Sequence, residues 1–113
     1  MYTVLLVKID GTVEETSQAK TPSYEQIKKA VGGYIEAVPH FRKYFREQGP
    51  VLVRGTAYVN EEGLINGLPF NEAATKQWLL NLGKGPFRYT PRLHGPMIYW
   101  AKVPKIKDAP PIA

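Results

Sequence analysis

The chain has no cysteine. Disulfides, thiolate metal sites and a cysteine nucleophile are thereby excluded, and the absence fits a reducing compartment such as the cytoplasm. Histidine is nearly as scarce, with His40 and His94 the only two. A zinc site needs further His, Asp or Glu ligands at short spacing, and neither histidine has them nearby in sequence. Long apolar runs are missing too. The N-terminal run Val4-Leu5-Leu6-Val7 has no basic region ahead of it. It is too short for the apolar core of a signal peptide and far too short to cross a bilayer. It reads as a buried strand of a protein with no membrane association.

Acidic residues are absent from Ala73 to Lys107. The net charge of +5 is therefore uneven: residues 1–36 carry four basic and five acidic groups, residues 37–72 four of each, and residues 73–113 seven basic and one acidic. A local excess of this kind attracts anionic partners, although a solvated basic stretch that aids solubility has the same composition.

What is present suits one globular domain. The 113 residues are 43% hydrophobic, and a chain of this size buries about two thirds of its unfolded surface around a single core. We expect that domain over residues 1–104, with an extended tail at 105–113. No internal repeat or linker divides the chain.

Period-2 and period-3.6 patterns place the elements. Tyr2 to Ile9 reads as a strand in the sheet interior. Asp10-Gly11 is a hairpin turn, and Thr12 to Thr16 returns as a short edge strand. Ser23 caps a helix from Tyr24 to about Val31, with Gln26 completing a capping box and Gly32 as its left-handed terminus. Tyr34 to Phe41 reads as a strand ended by Pro39, and Val51 to Asn60 as a second long strand. Asn60-Glu61-Glu62-Gly63 is a turn. Asn71 caps a second helix that Gly83 ends, and Met97 to Val103 is a last strand. The order predicts an α+β fold: a small, mainly antiparallel sheet of about four to five strands with two helices on one face.

Two segments carry a resemblance. Val31-Gly32-Gly33-Tyr34-Ile35-Glu36 is one; the other is Val59-Asn60-Glu61-Glu62-Gly63 followed by Gly67-Leu68-Pro69, Asn71 and Ala74-Thr75. Together with Gly95 before an apolar strand, they resemble an uncharacterised domain family of bacteriophages, other viruses and mobile elements, over roughly residues 23 to 103. The resemblance implies a phage-type accessory protein acting in the host cytoplasm, and it transfers no catalytic assignment. Physically these positions read as caps, corners and turns. Glu36, Asn60 and Glu61 are the polar groups among them that either line a site or make turn hydrogen bonds.

No enzyme or cofactor pattern stands out. Neither a nucleophile elbow nor a complete phosphate loop is present, since Gly83-Lys84-Gly85-Pro86 lacks the Ser or Thr that such a loop requires. Glu61 and Glu62 are adjacent at a turn tip, where a facing carboxylate pair does not form. Binding has better support. Arg42, Lys43, Tyr44 and Arg46 interleave cations with aromatics, as do Arg88, Tyr89 and Arg92, so that cations neutralise phosphates while aromatic faces stack on bases. The competing reading of the first stretch is that Phe41, Tyr44 and Phe45 plug the core while the cations point to water. The expected function is non-enzymatic binding and modulation of a host macromolecule, a host protein or a nucleic acid, with an anionic partner favoured. Sequestration of a small anionic nucleotide is the further alternative. It would use Arg54, Arg88 and Arg92 converging at an interface between copies of the chain. The oligomeric state is left open by the sequence.

Overall fold

Strand β1 (Tyr2–Val7) carries apolar side chains on both parities, Val4 and Leu6 on one and Leu5 and Val7 on the other, so both of its faces require cover. The computed structural model describes residues 1–83 and 92–103. In chain order the elements are β1, β2 (Val13–Gln18), α1 (Tyr24–Val31), β3 (Ile35–Ala37), β4 (Thr56–Asn60), α2 (Glu72–Leu82) and β5 (Met97–Lys102). The five strands form one sheet in the order β2-β1-β5-β4-β3, and every neighbouring pair is antiparallel. The α+β class and the five-stranded antiparallel sheet agree with the expectation.

The helices do not share a face. Val4, Ile98, Tyr58 and Trp100 pack with Ile27 and Val31 of α1. Leu5, Val7, Ala57, Val59, Met97 and Tyr99 have the opposite parity and pack with Ala74 and Trp78 of α2 and with Val38, Phe41, Tyr44 and Leu52. The expected placement of both helices on one face is corrected to one on each. The physical reason is the doubly apolar β1 and β5, which a single layer would leave half exposed.

Cap chemistry sets the helix ends. Ser23 Oγ accepts from the Gln26 amide at 3.1 Å, and Gly32 closes α1 in the left-handed region at φ 79°. The Gln26 side chain does not complete a capping box. It donates instead to Gln18 Oε1 on β2 at 2.7 Å, which ties the helix start to the sheet edge. Asn71 is fully buried; its Oδ1 accepts from the Ala74 amide at 3.0 Å, and its Nδ2 donates to Val7 O and Gly95 O. One side chain thus caps α2 and satisfies two carbonyls of the core, which a buried amide must do to avoid a desolvation cost.

Two expected strands are shorter than read. Tyr34 to Phe41 contributes only Ile35–Ala37. The run Val51 to Asn60 breaks at Arg54, whose φ is 56°, and Gly55. Gly55 packs so closely on the Tyr99 phenol that an added Cβ would overlap it. Leu52 then pairs with Tyr44 in an isolated bridge rather than extending β4. Among the described residues, no helix is long and apolar enough to cross a membrane.

Candidate functional site

The segment from Pro39 to Gly55 is the layer between the sheet and α2, and the buried aromatics explain why it sits there. Phe41 and Tyr44 are buried, with ring centroids 5.8 and 5.6 Å from that of Tyr99. Aromatic burial on this scale dominates the local energetics. Tyr99 Oη donates to Arg42 O at 2.8 Å, and the Gly55 amide donates to the same carbonyl at 2.8 Å. Burial pushes the phenols of Tyr99 and Tyr44 above their ordinary range, with Glu47 adding to the effect at Tyr44.

Helix α2 clamps this layer with its polar side chains. Asn81 Oδ1 accepts from the amides of Arg42 at 2.9 Å and Lys43 at 2.8 Å, and its Nδ2 donates to Lys43 O. Gln77 exchanges a donor and an acceptor with the backbone of Phe45, and Trp78 Nε1 donates to Pro39 O. The result is a basic corner. Arg42, Lys43 and Arg54 are all exposed, and the backbone that carries them is held by the bonds to Asn81, Gly55 and Tyr99. His40 stands beside them, exposed and at φ 61°. Among the described residues, none of these cations is in an ion pair.

The other expected binding residues are dispersed. Tyr44 is only 5% exposed, so its ring faces the core and offers no stacking surface; Arg42 and Lys43 point to water while Phe41 and Tyr44 fill the interior. Arg46 is half-buried and turned to the opposite end of the layer, where it pairs with Glu15 at 2.9 Å and donates to Pro50 O. Arg92 lies over the Phe70 ring at 4.5 Å, next to the start of α2. An eleven-residue helix spans about 16 Å, so Arg92 and Arg54 serve different ends of α2 within one chain. Arg88 and Tyr89 lie outside the described residues. Neither histidine stands in a cluster: among the described residues, no three His, Asp or Glu side chains gather as a metal site. His94 places Nδ1 3.0 Å from Leu68 O and tilts its ring on Phe70, a structural post behind the turn.

Asn60 and Thr75 also have structural roles. Asn60 Nδ2 donates to Val31 O at the end of α1, while its Oδ1 accepts from the Glu62 amide at 2.8 Å. Thr75 Oγ1 accepts from the Leu93 amide. Glu36 and Glu61 remain exposed. Sequence reasoning did not single out Asn81, Gln77 and Trp78. Their signal is visible afterwards as a polar pair at i and i+4 beside a Trp, on the side of α2 that meets the layer.

The fold and this corner define a small α+β sheet module that carries surface cations on a hydrogen-bonded backbone. The chain belongs to a family whose model, described as a domain of unknown function (DUF3846), matches residues 1–103. The match takes in every strand and both helices, including the β1–β2 hairpin. No curated protein and no solved structure matches this chain.

Proposed function

We propose that this domain is a non-enzymatic accessory protein of phage or viral type. It acts in the host cytoplasm and binds and modulates a host macromolecule by setting Arg42, Lys43 and Arg54 against an anionic face. The observation that carries this reading is the basic corner itself. Three exposed cations without acidic partners among the described residues sit on backbone anchored to the core through Tyr99, Gly55 and Asn81. The anchored backbone adds little to the entropy lost on binding, and the local positive field steers an oppositely charged partner toward the corner. Burial of Phe41 and Tyr44 removes the base-stacking faces that single-stranded nucleic acid would use at this corner. That favours an acidic protein surface as the partner.

The test is affinity capture from nuclease-treated host lysate by the wild-type chain and by a variant with Arg42→Glu, Lys43→Glu and Arg54→Asp. Aspartate is chosen at position 54 because it tolerates the left-handed backbone there better than most residues. A stoichiometric protein recovered by the wild type and lost with the variant is the expected outcome. Recovery of the same protein by both chains would overturn the corner's role. Capture of nucleic acid alone from untreated lysate, with binding that falls steeply as salt rises, would replace this reading with nucleic-acid binding.

A further inference from the structure

A groove of about 680 Å³ opens on the α2 face between β2, the turn at residues 44–48 and α2. Leu5 and Tyr44 line it from the core, and Val13 and Leu80, 42% and 49% exposed, line it from the strand and the helix. Lys76 reaches it from α2 and Glu47 from the turn. Groove volumes of this order accommodate several side chains of a ligand.

Strand β2 flanks this groove and pairs only with β1, so among the described residues its outer row of N–H and C=O groups has no backbone partner. Such an edge is a template for another strand, and proteins commonly blunt it with charge. Here both acids of the edge are ion-paired within the chain. Glu14 pairs with Lys8 on one face of the sheet, and Glu15 pairs with Arg46 on the other. What remains along the edge is Val13, Thr16, Ser17 and Gln18, which are neutral and mostly compatible with a strand. Lys76 is exposed and forms no ion pair among the described residues.

We propose that this edge and groove receive an extended segment of a partner protein, which adds to β2 as a sixth strand. Its main chain meets the outer edge of β2, and alternate side chains enter the groove, as in other cases of strand addition. An apolar side chain covers Val13 and Leu80, and an acidic side chain pairs with Lys76. The opposite wall carries Glu47 and the Glu15–Arg46 ion pair, in which the Arg46 cation is already engaged, so Lys76 on the α2 side is the cation left for the acidic residue. The inference stands independently of the basic corner, because the groove uses none of Arg42, Lys43 and Arg54.

The probe is a phage-displayed library of random octapeptides selected against the full chain, with the enriched peptides synthesised with capped ends. Enrichment of alternating sequences that combine apolar residues with Asp or Glu is expected. In amide NMR spectra such a peptide shifts Val13 to Gln18 and the Lys76–Leu80 stretch. Methylating alternate peptide nitrogens abolishes binding in one of the two phases. Val13→Arg and Lys76→Glu, both at exposed positions, each weaken it roughly tenfold. Selected peptides that shift Arg42, Lys43 and Arg54 instead, or that bind unchanged after methylation in both phases, overturn the proposal. So does a selection that enriches nothing. A concentration-dependent dimer that Val13→Arg dissolves overturns it in favour of a second copy of this chain on the same edge.

Discussion

The two faces of the sheet are closed by different means. On one, α1 lies directly on the strands, and Ile27 and Val31 meet Val4 and Ile98 in a small apolar cluster. On the other, α2 enters the core through Ala74 and also packs on the irregular layer of residues 39–55, held from above by Asn81, Gln77 and Trp78 and from below by Tyr99. The first face needs little beyond apolar periodicity. The second needs a polar clamp, because an irregular backbone packed against a core must find partners for its own N–H and C=O groups. The same clamp that satisfies the backbone of Arg42 and Lys43 also fixes where that backbone lies. The second face therefore carries the larger part of the core, the basic corner and the groove beside β2.

Substitutions on the two faces separate these modes. Phe41→Ala removes a buried ring and should cost about 4 kcal/mol in chemical denaturation, against about 3 kcal/mol for Ile27→Ala on the α1 face. An equal or larger loss at Ile27 would place the dominant core on the wrong side. Gly55→Ala should cost about 2–3 kcal/mol by forcing the Tyr99 ring aside, with a matching change in the near-ultraviolet aromatic signal. A neutral result would show that the layer can shift and is not rigid.

Asn81→Ala should cost about 1–2 kcal/mol, since it strips partners from the amides of Arg42 and Lys43. Amide exchange should then quicken at residues 42–45 and stay unchanged in α1. Ser23→Ala is its counterpart on the other face and should cost about 1 kcal/mol, with exchange affected only at the start of α1.

Alkaline titration supplies a further contrast. Tyr44 and Tyr99 hold their protons more tightly when folded, because burial disfavours the phenolate. Above the ordinary phenol pKa of about 10 the unfolded chain binds fewer protons than the folded one, so stability is intact below that pH and falls as pH rises beyond it. Tyr99→Phe should flatten the fall. A denaturation midpoint that is independent of pH from 9 to about 11 would contradict the burial of these rings.

Much of the scaffold was legible from local chemistry. Ser23, Gly32, Asn71 and Gly83 mark helix ends in the structure as their residue types suggest, and the Asp10-Gly11 turn returns β2 against β1. The caps are local because their bonds span only a few residues. The doubly apolar β1 also pointed to helices on both faces, a consequence that the one-face expectation missed. Within the first basic stretch, residue type allowed either a stacking surface or a core plug for Tyr44, and the structure shows the core plug. It lies on a non-repetitive segment, and its packing partner Tyr99, some fifty residues on, is visible only in the folded chain.

By itself the sequence determined the class of fold, the helix termini, the missing thiol chemistry and the uneven charge. Each of these depends on composition or on neighbours within a turn or two. Tertiary structure alone decided which face each helix covers, which cations gather at one corner, and that Glu14 and Glu15 are ion-paired on a β2 edge without a strand partner among the described residues. Those outcomes rest on contacts between residues distant in the chain, such as Arg46 with Glu15 and Asn81 with Arg42, and no period or motif encodes them.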